Sequence, residues 1–300
     1  MQAFEYMRPS DLSTAVALLG EKNGKARAMA GGTDLLVQMR ADRYQVERVV
    51  DVKAIPELNT LRFDAAGGLT VGAAVPCHQI YEHPDVIANY PGLVDATSIV
   101  GGIAIQGRAS LGGNLCNASP SGDTIPALIV MGAKCRVVRA NGEREIPVEQ
   151  FCIAPGTNRL EPGELLVWIN IPAPAQRSGA YYLRFIPRNE MDIAVVGAGA
   201  WVELGSDGKT ITDARVALGA VAPTPLHVDA ARGLLVGTDG SDRAIEAAAQ
   251  ASREAARPIS DMRGTAEQRK HLAGVLTKRA LRGALARARG EHVPSAFLVH

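Results

Sequence analysis

Two pairs of adjacent glycines mark the places where this chain can hold an anionic ligand. The first pair lies in the segment Ala28, Met29, Ala30, Gly31, Gly32, Thr33, Asp34 and Leu35. Paired glycines adopt positive φ and let the backbone approach a ligand closely, so the exposed amides and the Thr33 hydroxyl can hold pyrophosphate oxygens. A tight turn without a ligand explains the same residues. On this segment alone the ligand-free turn is the better interpretation, because short glycine motifs have a high false-positive rate.

The second glycine pair also stands beside a small hydroxyl residue, in the run Ser110, Leu111, Gly112, Gly113 and Asn114. A polar loop of small residues then leads to Asp123, whose carboxylate can accept hydrogen bonds from a ribose or a ring N–H. A loop aspartate that caps the following segment, residues 125–131, is an equally good interpretation. Two glycine turns are compatible with a two-sided grip on a long dinucleotide, but they do not identify it.

The composition is that of an ordinary globular protein. Of the 300 residues, 47% are apolar and 21% are charged, and the formal net charge is +1. No broad attraction to nucleic acid or to an acidic membrane surface is therefore expected, and aromatic residues, at 4%, are too few for base-stacking platforms. The sequence shows no secretory signal and no apolar stretch of membrane-spanning length. We expect a cytoplasmic protein without an integral membrane segment.

The cysteines and histidines give no sign of a metal site. The 4 cysteines form no C-x-x-C pair, and their spacing matches no zinc or iron–sulfur pattern. We interpret them as free thiols in a reducing compartment. The 6 histidines have no metal-ligand spacing either. The sequence therefore predicts no metal-binding residue, and no nucleophile elbow or Ser/His/Asp arrangement indicates a catalytic residue.

Local patterns predict short helices and strands in the first part of the chain. Ser10 is expected to cap a helix whose apolar face ends at Gly20. Strands are predicted over residues 26–30, 48–52 and 69–73, and short helical segments over residues 76–81 and 92–100. Asn141-Gly142, between two β-rich runs, is the strongest hairpin signal. A further strand over residues 165–171 is ended by Pro172.

The composition changes at residues 172–179, a connector containing Pro and Gly, where we place a domain boundary. Three strands are predicted after it, over residues 180–188, 193–204 and 211–221. Ser241 is expected to cap an Ala-rich helix, and Thr265 with Gln268 forms a capping box for a helix that runs through Leu281. Three strands followed by two helices predict a small α+β domain.

Three segments resemble the flavoprotein subunits of the xanthine dehydrogenase and aerobic carbon monoxide dehydrogenase family. They are A-G-G-T-D-L-L at residues 30–36, S-L-G-G-N-L with A-S-P-S-G-D at residues 110–123, and residues 258–269. Because they occur in the family's order, the resemblance is more specific than any single motif. It implies an α+β fold with an FAD-binding domain of the vanillyl-alcohol-oxidase (PCMH) type in two subdomains. A small α+β C-terminal domain, a three-stranded sheet plus helices, follows.

The implied domain limits are residues 1–175 for the FAD-binding domain and 179–285 for the C-terminal domain, with residues 286–300 as a tail. The resemblance also implies which residues bind FAD. These are Ala28, Met29, Ala30, Gly31, Gly32, Thr33, Asp34, Leu35, Val100, Gly101, Ser110, Gly112, Gly113, Asn114, Asp123, Leu165, Leu166 and Arg184. Arg184 departs from the pattern, because xanthine dehydrogenases have a lysine there, and an arginine does not share the geometry of an ammonium.

By the same resemblance, the chain is the FAD-binding electron-transfer subunit of a molybdenum hydroxylase and holds its FAD non-covalently. Its implied partners are a small [2Fe-2S] subunit and a large subunit with the molybdopterin cofactor, arranged as a dimer of heterotrimers. Flavin suits the role because it takes and releases electrons singly or in pairs. A stand-alone FAD-dependent oxidase or dehydrogenase of the vanillyl-alcohol-oxidase class is the alternative.

Overall fold

The computed structural model describes residues 2–188 and 191–295. Its strands are β1 (Glu5–Met7), β2 (Ala26–Met29), β3 (Arg48–Asp51), β4 (Leu61–Asp64), β5 (Gly68–Gly72), β6 (Lys134–Arg139), β7 (Gly142–Pro147), β8 (Cys152–Ala154), β9 (Thr157–Asn158), β10 (Leu165–Ile171), β11 (Ser178–Phe185), β12 (Val196–Leu204), β13 (Ile211–Gly219) and β14 (Leu226–His227). Its α-helices are α1 (Leu12–Gly20), α2 (Leu35–Arg40), α3 (Cys77–Tyr81), α4 (Pro84–Asn89), α5 (Pro91–Thr97), α6 (Ile103–Gln106), α7 (Leu111–Cys116), α8 (Thr124–Val130), α9 (Asp229–Leu235), α10 (Asp242–Ala255) and α11 (Ala266–Ala288). The α+β class is confirmed.

The first subdomain is built on a parallel sheet in the order β1-β3-β2. Helix α1 packs on β2 and β3 through its predicted apolar face, Ala15, Val16 and Leu19. The helix ends at Gly20 as predicted, but the prediction of Ser10 as its cap is wrong. Asp11 is the N-cap, and its carboxylate accepts a hydrogen bond from the Thr14 amide at 2.8 Å. A capping side chain reaches the amide two or three positions into the helix, and Asp11 has that spacing.

The second subdomain contains an antiparallel sheet in the order β4-β5-β10-β6-β7. Its central strand β10 has the predicted bounds and is mostly buried. The predicted hairpin joins β6 and β7, with Arg139 paired to Gly142. Gly142 has φ 123°, a conformation that side-chain-bearing residues rarely adopt. Helices α3 to α8 lie between β5 and β6 in the chain, and α7, which contains the second glycine pair, contacts β10.

The last part of the chain forms a sheet in the order β11-β12-β13-β14, on which α11 packs through β11 and β12. The prediction of three strands was incomplete, because β14 pairs with β13 as a fourth; a two-residue strand carries no periodic signal. Thr265 caps α11, accepting a hydrogen bond from the Gln268 amide at 3.1 Å. The helix runs beyond Leu281, since Ala284, Leu285 and Ala288 continue its buried face.

A buried ion pair joins α11 to the first part of the chain. The Arg287 guanidinium donates to both oxygens of Asp95, at 2.6 and 3.1 Å, and to the Ala180 carbonyl at 2.7 Å. Asp95, in α5, is fully buried. Residues 286–288, assigned to a tail from the sequence, therefore belong to the folded unit, while residues 296–300 lie outside the described residues. Within the described part, no helix is both long and apolar enough to cross a membrane.

Candidate functional site

A cavity of about 650 Å³ lies where β2, α2, α7 and β10 converge. Its size is within the roughly 300–1,000 Å³ usual for cofactor and ligand pockets. The site residues predicted from the sequence all line it, with the exception of Arg184. The residues brought together are Ala28, Met29, Ala30, Gly31, Gly32, Thr33, Asp34, Leu35, Val100, Gly101, Ser110, Gly112, Gly113, Asn114, Asp123, Leu165 and Leu166.

The first glycine turn leaves a run of backbone amides free. Gly32 has φ 76°. A Cβ on Gly31 would lie 1.9 Å from the Arg108 carbonyl oxygen, so this glycine allows the turn to pack directly on another backbone segment. The amides of residues 31–35 have no acceptor among the residues that the structure describes. Successive free amides at the start of a helix form a concave donor set for an anion.

The second glycine pair does not form a turn, as the sequence analysis had it, but the first turn of helix α7. Ser110 is the N-cap, and its hydroxyl accepts a hydrogen bond from the Gly113 amide at 3.1 Å. A Cβ on Gly112 would lie 2.5 Å from the Ala73 Cβ, so Gly112 is required by the packing of α7 against the end of β5. Gly113 is exposed and lines the cavity, and its Cβ would meet only the Ser110 hydroxyl.

A hydrogen bond ties the two glycine segments to each other. The Gln38 side chain of α2 donates to the Asn117 side chain at the end of α7, at 2.8 Å, and both residues line the cavity. The two segments therefore form two walls of one site, which is the arrangement that a two-sided grip on a long ligand requires.

Asp123 is 7% exposed and lines the cavity. It stands at the N-cap position of α8, but its side chain makes no capping hydrogen bond, so the interpretation of Asp123 as a helix cap is wrong. One carboxylate oxygen accepts from the Tyr182 hydroxyl at 3.0 Å and the other from Arg184 at 2.7 Å. Burial raises the pKa of Asp123 to about 6, although Arg184 and Tyr182 act in the opposite direction.

Arg184 lies behind Asp123 and does not reach the cavity wall. Its side chain is 3% exposed, and its Nε finds no acceptor among the described residues. The expectation that Arg184 itself lies beside the ligand is therefore replaced by an indirect placement through Asp123. Its position follows from β11, whose alternation puts Tyr182 and Arg184 on one face of the strand.

Apolar residues line other parts of the cavity. Leu165 and Leu166 enter from β10 and are 4% and 2% exposed. Val100 and Gly101 lie in the loop before α6, where Gly101 has φ 63° and a Cβ would meet the Ile105 side chain at 2.3 Å. These residues offer contact area for a flat apolar group.

Several polar side chains of this cavity were not predicted from the sequence. Ser119 and Ser121 line the cavity and share a hydrogen bond at 2.9 Å. Both belong to the A-S-P-S-G-D segment, so this motif could have indicated them. Glu164 is buried and paired with Arg144 at 2.7 Å; burial alone raises its pKa, but the hydrogen bonds from Arg144 and the Glu161 amide leave it lowered. Glu164 lies in the turn directly before β10, and its partner Arg144 is 20 residues earlier in the chain, so no local pattern could indicate the pair.

The loop before β12 also reaches the cavity. Asp192 and Ile193 are lining residues, and the Met191 amide donates to the Gly101 carbonyl at 3.0 Å. The last part of the chain therefore lies beside the site in two places, at this loop and at the β11 partners of Asp123.

The cysteines of the described residues are unpaired. Cys116 is half-buried and lines the cavity, and desolvation raises its pKa to about 12. Because the thiolate is the nucleophilic form, Cys116 is poorly suited to covalent attachment of a flavin. No group of His, Cys, Asp and Glu in the described ranges is arranged to hold a metal ion.

The residues of the cavity fit FAD in kind. Free amides at residues 31–35 suit the pyrophosphate, the carboxylate of Asp123 suits hydroxyl or ring N–H donors, and Leu165 and Leu166 suit a flat ring. Gly32, which has a positive φ, and the exposed Gly113 add no side chain to the two walls of the cavity.

Comparison with known families matches both parts of the chain. The model of the FAD-binding domain in molybdopterin dehydrogenase matches residues 2–174. The model of the carbon monoxide dehydrogenase flavoprotein C-terminal domain matches residues 181–284. The cavity-lining glycine segments fall within the first of these matches.

Individual relatives match over nearly the whole length. The carbon monoxide dehydrogenase medium chain of Hydrogenophaga pseudoflava is 33% identical, over 95% of this chain and 98% of its own. The xanthine dehydrogenase FAD-binding subunit of Escherichia coli O157:H7 is 30% identical, over 95% and 97%.

Solved structures show the same architecture. A carbon monoxide dehydrogenase from Hydrogenophaga pseudoflava, which lacks the Mo-pyranopterin moiety of its molybdenum cofactor, superposes with a TM-score of 0.91 at 31% identity and covers 95% of this chain and 98% of its own. Quinoline 2-oxidoreductase from Pseudomonas putida 86 gives a TM-score of 0.88 at 29% identity and covers 96% of this chain and 99% of its own.

Proposed function

Since the chain belongs to the family of FAD-binding subunits of molybdenum-containing dehydrogenases, we propose that it relays electrons between a partner's [2Fe-2S] clusters and an external acceptor. The chain carries the family's FAD-binding domain and is an oxidoreductase subunit. The resemblance inferred from its glycine segments is thereby confirmed. When bound, FAD supplies the capacity to accept and release electrons singly or in pairs.

The observation that carries the proposal is the convergence of both glycine segments on one cavity. We assign the amides of residues 31–35 to the pyrophosphate, because they are free of internal acceptors in the described chain. We assign Asp123 to a hydroxyl or ring N–H of FAD, since each carboxylate oxygen has a second acceptor direction after Tyr182 and Arg184 are bonded. Leu165 or Leu166 packs near the ring, since both residues line the cavity.

In the proposal, the two parts of the chain have different roles. Residues 1–175 would hold most of the FAD contacts, and residues 179–285 would support the site from behind through β11. The buried clusters favour this division, because one draws mainly on residues before the connector and the other on residues after it. The binding residues given above, Arg184 included as an indirect one, remain part of the proposal.

The partners in the proposal are a small [2Fe-2S] subunit and a large molybdopterin-binding subunit, arranged as a dimer of heterotrimers in the cytoplasm. Support comes from the relatives, which are named as subunits or medium chains of dehydrogenases. The substrate-oxidising chemistry would then take place in the large subunit, and this chain would determine only how electrons leave.

The test is an anaerobic electron-transfer measurement on the purified full chain with its bound cofactor. We expect close to one FAD per copy of this chain, and loss of the visible flavin absorption when a reduced [2Fe-2S] partner subunit is added. As a matched control, the partner subunit is added in its oxidised form, which should leave the flavin contribution to the spectrum unchanged once the absorption of the clusters themselves is subtracted. Absence of flavin would contradict the FAD site, whereas flavin that reduced partner leaves oxidised would contradict the relay.

A further inference from the structure

Tyr182 is buried in the wall behind the cavity and does not line it. Its hydroxyl donates to one oxygen of Asp123 at 3.0 Å, while Arg184 donates to the other at 2.7 Å. The two donors stand two residues apart on β11 and therefore share one face of the strand. The carboxylate that reaches the cavity is thus held from behind at both of its oxygens.

The position of the Tyr182 hydroxyl is itself fixed at two points. A Cβ on Gly197, in the neighbouring strand β12, would lie 2.4 Å from this hydroxyl, so the glycine provides the space that the hydroxyl occupies. At the other end of the residue, the Tyr182 amide donates to Asp95 at 3.1 Å. Asp95 is in turn bonded to Arg287. The phenol is therefore a rigid support and has little freedom to leave Asp123.

We propose that Tyr182 is a positioning residue for FAD binding, which holds the Asp123 carboxylate aimed into the cavity as a hydrogen-bond acceptor. The proposal rests on the function proposed above, because it requires FAD to be the ligand of this cavity. Tyr182 acts through Asp123 alone and touches neither FAD nor the cavity. The C-terminal domain thereby completes a site whose contacts lie mainly in the other domain.

The role predicts a characteristic pH dependence. The groups that face Asp123 are Tyr182 and Arg184 on β11 and the Cys77 thiol of α3, whose pKa is raised to about 12 mainly by burial. Cys77 is therefore neutral, and Arg184 and Tyr182 alone favour the ionised carboxylate. Removing the phenol donor raises the pKa of Asp123 further above its present value of about 6. More of the carboxyl is then protonated near neutral pH, and it loses acceptor capacity.

The experiment is an FAD titration of the full chain, in its complex and freed of flavin, across the range from mildly acidic to mildly alkaline pH. Tyr182→Phe is compared with wild type and with Tyr181→Phe, the same change at the neighbouring residue, whose hydroxyl has no hydrogen-bond partner among the described residues. We expect Tyr182→Phe to weaken FAD binding about tenfold at neutral pH, because Asp123, more often protonated, gives up one charge-assisted hydrogen bond to FAD. The pH midpoint of binding should also shift upward, and Tyr181→Phe should behave as wild type.

Gly197→Ala provides a second route, because its added methyl group displaces the same hydroxyl. An upward shift of the pH midpoint of FAD binding in both Tyr182→Phe and Gly197→Ala supports the positioning role, because a general loss of stability would not shift this midpoint. An unchanged FAD affinity and midpoint in Tyr182→Phe, with wild type binding normally, overturns the role of Tyr182 and leaves the proposed function standing. Failure of wild type to bind FAD at any pH overturns both.

Discussion

Gly112 and Gly113 are adjacent, but they have different roles in the structure. A side chain at Gly112 would collide with Ala73, whereas a side chain at Gly113 would meet only the Ser110 hydroxyl and would otherwise occupy the cavity. We therefore expect Gly112→Ala to lower the free energy of unfolding by about 1–3 kcal/mol, the usual cost of overpacking. Gly113→Val should instead weaken FAD binding about tenfold or more, and its cost in stability should be limited to about 1 kcal/mol for disturbing the Ser110 cap.

Chemical denaturation and FAD titration are carried out on both variants, so that each variant serves as the control for the other. A stable Gly112→Ala protein would show that the contact with Ala73 relaxes easily. Unchanged FAD affinity in Gly113→Val would show that FAD does not approach this turn of α7. Either result would contradict the division of roles.

The residues of the site were predictable where they are close together in the sequence. Residues 28–35 and 110–114 follow local rules for glycine and small hydroxyl residues, and all of the ones predicted there line the cavity. The arrangement around Asp123 was not predictable in this way. Its partners Tyr182 and Arg184 come from another domain, and only the pairing of β11 with its neighbours brings them near.

Two of the ion pairs that helix α11 makes differ strongly in burial, and they allow a test at the level of this element. Arg287 bonds Asp95, with side-chain exposures of 6% and 0%. Arg282 bonds Asp242 at 2.7 Å, with exposures of 56% and 85%. Arg287→Ala leaves a buried carboxylate without its cation, so the free energy of unfolding should fall by about 3–5 kcal/mol. Arg282→Ala should change it by less than about 1 kcal/mol.

Denaturant unfolding of the two variants and wild type measures the difference. Burial already raises the pKa of Asp95, against the effect of Arg287, and without Arg287 it should rise further. The raised pKa means that the loss in Arg287→Ala is smaller at low pH, where Asp95 is protonated, and grows as pH rises. Equal effects of the two substitutions would show that the Asp95 pair does not hold α11 in place.

The elements that were predicted correctly have strong local signals. The Asn141-Gly142 hairpin, strand β10 and the Thr265 cap each combine a characteristic turn or capping residue with a periodic apolar run. Helix α7 was mistaken for a turn because its sequence contains two glycines, which are weak helix formers. It is stable in the folded protein through its Ser110 cap and its packing on β5 and β10, which are not visible in a six-residue window.

Contacts across the connector determine how the whole molecule responds to heat. The ion pairs of Asp95 with Arg287 and of Asp123 with Arg184 are both buried. A Cβ on Gly92 would lie 2.7 Å from the Ala180 Cβ, so α5 and β11 approach closely. Unfolding either domain alone would break both buried ion pairs and expose to water the core cluster to which Ala180, Tyr182 and Ala217 contribute. The two domains should therefore unfold together.

We expect one cooperative transition in scanning calorimetry, with equal calorimetric and van't Hoff enthalpies. FAD at about 100 times its dissociation constant should stabilise the entire transition by about 2.7 kcal/mol, because the site includes supports from both domains. Arg282→Ala, which removes only a surface pair, serves as the control and should keep a single transition. Two transitions, of which FAD moves only the one belonging to the first domain, would show that β11 and α11 are dispensable for the site.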